Sequence, residues 1–189
     1  HVLPVNSPSF RSRMSGQGLQ AQQQSVADAR AAAHGAALSG LKAHLPGGTH
    51  LSAINRKALT EWQANWVPLR PGPHAPDGDY PWDEVFAKYG RAVDAFSLAI
   101  WVDEELCGLA IGGFTRSGKV LNIAFIEASP DPSRSLRGGL VSVIVLEVAA
   151  RFGSALGAKF LRLVDPASGL RTHYEAAGFT LVSAPDGVE

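Results

Sequence analysis

The sequence predicts an α/β (α+β) domain built on a mixed, mainly antiparallel central sheet flanked by helices. Three observations lead there. First, the apolar runs FSLAIWV, LCGLAIGGF and VLNIAFIEA follow one another across the short polar turns DEE and TRSGK, the pattern of an antiparallel meander. Second, GGLVSVIVLEVAARFGSALG carries its few polar side chains, chiefly Glu147 and Arg151, four residues apart on one stripe, so it is a helix that must be covered almost all round. Third, a strand (FLRLV), a helix (SGLRTHYEAA) closed by Gly178, and a strand (FTLVS) alternate to the end.

Composition narrows the function. A chain of 189 residues suits one main domain. Lys plus Arg and Asp plus Glu both number 17, so no net field draws the molecule to nucleic acid or to anionic lipid, and neither is expected as a partner. Cys107 is the single cysteine, which rules out an intrachain disulfide and the Cys/His spacings of zinc sites. His34, His44, His50 and His74 show no metal-ligand spacing, so no metal is expected. A reducing, cytoplasmic location fits these features, and no stretch approaches the ~18 apolar residues of a membrane span.

Taken in order, residues 1–24 read as a flexible or artificially appended arm, since the chain begins with His1 and its first thirteen residues hold no acidic side chain. Residues 25–44 are alanine-rich with leucine and valine at loose helical intervals, a helix. Leu51, Ile54, Ala58, Leu59, Trp62 and Trp66 recur at three- and four-residue steps and predict a second helix with both tryptophans on its apolar face. No strand is legible ahead of these helices. VPLRPGPHAPDGDYP breaks regular structure, because proline removes backbone donors and fixes φ. PWDEVFAKYGR restarts a short helix, with Pro81 suited to its first turn and Asp83 and Glu84 favourable near its positive end.

Alternation along the third run of the meander sends Leu121, Ile123, Phe125 and Glu127 to one side. A carboxylate there is either partly buried, with its pKa raised into the range of a proton acceptor, or turned to water at the strand end. The next segment, ASPDPSRSLRGGL, holds Arg134, Arg137, Gly138 and Gly139 directly before the apolar helix. Amides at a helix start attract phosphate and glycine admits a close ligand, although such residues also serve simply to turn the chain. Cys107, inside a strand and with no histidine near it in sequence, reads as a buried inert thiol.

In this order the meander, the arginine-glycine turn, the apolar helix, the strand and YEAAGF resemble the GNAT superfamily of N-acetyltransferases over residues 94–183. The family's final-helix motif Tyr-Glu-x-x-Gly-Phe is matched at Tyr174, Glu175, Gly178 and Phe179. Its loop motif, Gln/Arg-x-x-Gly-x-Gly/Ala, is matched in part from Arg134, with Arg137 at the first glycine position and Gly139 last. Ala167 stands where members often carry asparagine, and His173 where phenylalanine is usual.

The resemblance implies an acetyl-CoA-dependent N-acetyltransferase acting on a primary amine by direct attack on the thioester, with acetyl-CoA as cosubstrate and an amine as partner. It implies that Arg134, Arg137, Gly138 and Gly139 hold the diphosphate and that backbone amides of Ile126, Glu127 and Ala128 polarise the thioester carbonyl. Tyr174 is the implied general acid, since phenol and thiol have ordinary pKa values of about 10 and 8.5, close enough for ready transfer. Glu127 is the candidate base, directly or through water. Residues 25–93, with Tyr80 and Trp82, then form the acceptor side and 94–189 the cofactor-binding core. A non-catalytic acyl-CoA-binding or protein-interaction module is the alternative, and the short C-terminus suggests a homodimer that protects a sheet edge.

Overall fold

The computed structural model describes residues 16–70, 79–134, 136, 138–165 and 171–180. In chain order they form α1 (Gly16–Leu41), β1 (Thr49–Ser52), α2 (Arg56–Asn65), α3 (Trp82–Tyr89), β2 (Phe96–Val102), β3 (Glu105–Phe114), β4 (Val120–Ala128), α4 (Gly138–Ala155), β5 (Phe160–Leu163) and α5 (Arg171–Ala176). The strands make one sheet in the order β1-β2-β3-β4-β5. The pairs up to β4 are antiparallel and β4–β5 is parallel, so the expected mixed, mainly antiparallel sheet is the observed one.

Two helical layers cover the sheet. On one face α4 and α1 bury aliphatic side chains against β2, β3 and the first half of β4, with Val141, Ile144, Val145 and Phe152 from α4 meeting Ala33 and Ala37 from α1. The Glu147–Arg151 stripe is present as an ion pair, 2.7 Å from Arg151 Nε to Glu147 Oε1, as its four-residue spacing predicts. On the other face α2 and α3 bury Trp62, Trp66 and Trp82 against Ala99, Trp101, Leu106, Leu109 and Ile111. Cys107 is fully buried, and burial pushes its thiol pKa up, as an inert cysteine requires.

The N-terminal third differs from its sequence reading in two places. Helix α1 begins at Gly16, so residues 16–24 are helical rather than part of an arm; glutamine, a good helix former, fills most of the run, which contains no proline and places its two glycines in the first turn. Leu51 belongs to β1, paired with Ile100, and α2 starts only at Arg56. There Asn55 caps the helix, its side chain accepting from Ala58 N at 3.0 Å. A strand this short, followed within four residues by a helix, keeps apolar residues at steps that mimic one continuous helix.

The other correction concerns β4. Ile111 opposes Phe125 and Gly112 opposes Ile123, so Ala124 is an extra residue, a β-bulge. The expected single-sided alternation is broken there: Leu121 and Ile123 enter the aliphatic layer, whereas Phe125 packs on the tryptophan layer. Gly112 permits the close approach, since a Cβ at that position would lie 2.2 Å from the carbonyl oxygen of Asn122. Phe179 and Thr180 are not in a strand, and 181–183, the rest of the expected last strand, lie outside the described residues; the described sheet ends at β1 and β5.

Candidate active site

Strands β4 and β5 pair only from Val120↔Phe160 to Ile123↔Leu163, closed by a last bond from Val164 N to Ile123 O at 3.0 Å. Beyond that point no strand among the described residues pairs with 124–128 on this side. Ser129 N bonds Cys107 O of β3, so by alternation Ile126 and Ala128 turn their amides toward the side where the two strands part. Nearby, α4 begins at Gly138, has no acidic residue in its first turn, and faces open space at Gly139, where an added Cβ would meet nothing within 4 Å. A diverging strand pair and a glycine-led helix start are compatible with a thioester lying in the gap and a diphosphate at the helix amides.

Glu127 lies on the other side of β4, under α3. Its side chain is 8% exposed and takes hydrogen bonds from four donors: Trp82 Nε1 at 2.5 Å, Arg70 Nη2 at 3.1 Å, Asp79 N at 3.1 Å and Tyr80 N at 3.4 Å. Arg70 bridges two carboxylates, its Nη1 lying 2.6 Å from Asp79 Oδ1, and stacks over the Trp62 ring at 5.1 Å. Burial raises the Glu127 pKa, while the Trp82 bond, the Arg70 charge and the two backbone amides pull the other way. Tyr80 meets Phe125 edge-on at 4.8 Å, and Tyr89 tilts against Phe125 at 5.6 Å. Arg70 is the group that the sequence reading misses, hidden in the proline-broken segment 67–81 without periodicity to mark it.

No protein-family model matches the chain, and no curated protein matches it. Solved structures do. The aminoglycoside N-acetyltransferase AAC(6')-Iy, solved in complex with a CoA bisubstrate analog, is 19% identical, with a TM-score of 0.52 over 75% of this chain and 97% of that one. The ribosomal-protein-S18-alanine N-acetyltransferase from Escherichia coli is 14% identical, with a TM-score of 0.51 over 71% of this chain and 79% of that one. The ribosomal-protein-alanine N-acetyltransferase from Brucella melitensis biovar Abortus 2308 is 15% identical, with a TM-score of 0.50 over 75% and 98%. The chain has the GNAT fold.

Within the GNAT fold the predicted site residues fare differently. Tyr174 is 6% exposed on α5, with its ring edge-on to His173 at 5.5 Å and to Phe179 at 6.3 Å. Gly178 closes the helix as expected, at φ 91°, and Phe179 N reaches back to Tyr174 O at 3.0 Å. His173 Nε2 is buried without a hydrogen-bond partner. Arg134 does not lie open to a phosphate: its guanidinium is 3.0 Å from Glu105, 3.5 Å from Asp131 and 4.0 Å from Glu61. Arg137 and Ala167 lie outside the described residues. Among the described residues no cluster of ligating side chains could hold a metal, and no helix is long and apolar enough to cross a membrane. An open cleft of about 490 Å³, lined by Gln22, Ser25, Phe114, Arg116 and Leu156 among others, sits at the opposite end of β4 from Glu127.

Proposed function

We propose that the protein is an acetyl-CoA-dependent N-acetyltransferase that moves an acetyl group to a primary amine by direct attack on the thioester. The observation that carries this reading is the parting of β4 and β5 after Ile123, with the amides of Ile126 and Ala128 turned into the gap and open space at Gly139 in the first turn of α4. The neighbours solved with CoA or a CoA analog support acetyl-CoA as the cosubstrate.

Acetyl-CoA supplies an acyl carbon already activated as a thioester. In this reading the amides of 126–128 bind the carbonyl oxygen as it gains negative charge, and those at the start of α4 bind the diphosphate. Tyr174, next to the glycine cap, protonates the departing sulfur. Holding amine and thioester together supplies a large share of the rate.

The second reading is a non-catalytic acyl-CoA-binding or protein-interaction module, and its protein-interaction form is favoured by Arg134, whose charge is engaged by Glu105 and Asp131 rather than left for a diphosphate. Calorimetry with acetyl-CoA followed by thiol release over a panel of amines decides between them. Binding with turnover, and a fall of about 100-fold in kcat for Tyr174→Phe, supports the transferase. Binding without turnover supports an acyl-CoA-binding module, and no binding removes both CoA-dependent readings and leaves the protein-interaction one.

A further inference from the structure

Resting on the acetyltransferase reading, we infer that Glu127 is a positioning residue rather than the proton acceptor, and that the acceptor is an amine of low basicity, such as an α-amino group, which reaches the cleft already uncharged. A carboxylate offers about four lone-pair directions. Those of Glu127 are met by Trp82 Nε1, Arg70 Nη2 and the amides of Asp79 and Tyr80. To take a proton from an ammonium, Glu127 would have to release one of these donors into a buried setting, and Arg70 would keep only one of its two carboxylate partners.

The bonds instead serve shape. Through them one side chain of β4 fastens the end of the 3-10 turn Val67–Leu69, the residues leading into α3, and α3 itself to the strand whose far side parts from β5. The charged groups that contact Glu127 are Arg70 and Asp79, and β3 places Leu109 opposite it. The other carboxylates of α2 and α3 are Glu61, Asp83 and the exposed Glu84. Glu61 accepts from Asn65 at 2.7 Å and lies by Arg134, and Asp83 caps the Glu84 amide at 2.9 Å.

Without a side-chain base the attacking nitrogen must arrive with its lone pair free. At pH 7 roughly one in ten α-amino groups is neutral, against about one in 2,500 alkylamines of lysine type. The neutral nitrogen forms the C–N bond as the C–S bond breaks; its surplus proton leaves to water, the sulfur takes one from Tyr174, and the phenolate regains its proton from water.

The test uses the full chain, acetyl-CoA, and two acceptors matched in structure: a short peptide with a free α-amine, and the same peptide blocked there but carrying a lysine. The α-amine is expected to be used on the order of 100-fold better in kcat/KM at pH 7, and the acid limb of each pH profile to follow that amine's own pKa. Glu127→Gln and Arg70→Met are expected to raise the amine KM alike, by about tenfold, with the limb unmoved. An acid limb at one pH for both acceptors, lost in Glu127→Gln with kcat reduced and KM unchanged, would overturn the inference. If either variant does not fold, the wild-type limb positions decide alone. Acetyl-CoA binding without turnover of either acceptor overturns this inference and leaves the cofactor site, whereas no binding removes that reading too.

Discussion

The two faces of the sheet are built from different chemistry. Under α1 and α4 the layer is aliphatic and made largely of small or branched side chains, among them Ala33, Ala37, Val141, Val145 and Ala149; at its margin Arg30 donates to Ala95 O at 3.0 Å and lies over the Phe152 ring. Under α2 and α3 the layer holds four tryptophans and borders a buried network of Arg70, Asp79 and Glu127. Aliphatic packing gains stability per area removed from water and asks for no partner. A buried charge network asks for every donor and acceptor to be matched, and contributes little net stability while fixing geometry. The first face therefore needs only to be filled, whereas the second adds to its packing a network whose geometry must be matched.

That contrast breaks if variants on the two faces behave alike. Phe152→Ala should have the largest effect on stability, a loss of about 4 kcal/mol in denaturant unfolding, with acetyl-CoA affinity per folded molecule retained. Arg70→Met should lose about 3 kcal/mol because two carboxylates are left buried without their cation, and this variant should also change amine use. If Phe152→Ala altered amine use and Arg70→Met did not, the assignment of roles to the two faces would fail.

Acid titration sharpens the comparison. Burial first, and then the Arg30 charge, lower the His34 pKa from 6.5 to about 4. The unfolded chain therefore binds more protons between those values, and stability falls as pH drops from 6.5 toward 4. The loss should be about 1–2 kcal/mol, allowing for solvent that still screens the ring, and His34→Gln should flatten the slope in melts taken across this window. Glu127 acts with the opposite sign: its raised pKa favours the folded state below the ordinary carboxylate value, and that contribution disappears as pH rises through the folded value. Outside both layers, Gly178→Ala at φ 91° should cost about 1 kcal/mol and fray only the end of α5, a loss visible in amide exchange.

The parts legible in sequence are those with local signals. The meander, the apolar α4, the strand β5 and the Gly178 stop all show in periodicity or in single punctuating residues. β1 was hidden because four residues carry too little alternation beside α2. The Ala124 bulge is a property of pairing with β3, and nothing in VLNIAFIEA marks it. Glu127 is legible as a carboxylate on an apolar strand, but its partners Arg70 and Trp82 stand 57 and 45 residues away, brought to it only by tertiary packing. Arg134 is legible as a cation before α4, yet its ion pairs with Glu61 and Glu105 reach across to other elements.

The surplus residue at position 124 acts as a switch in handedness along a single strand. Upstream of it β4 contributes Leu121 and Ile123 to the aliphatic side; downstream it delivers Phe125 and Glu127 to the aromatic one. Were Ala124 instead drawn into the regular ladder with a partner of its own on β3, everything after it would change sides, driving a carboxylate into the greasy seam beneath α4 and swinging Ile126 out among the indoles.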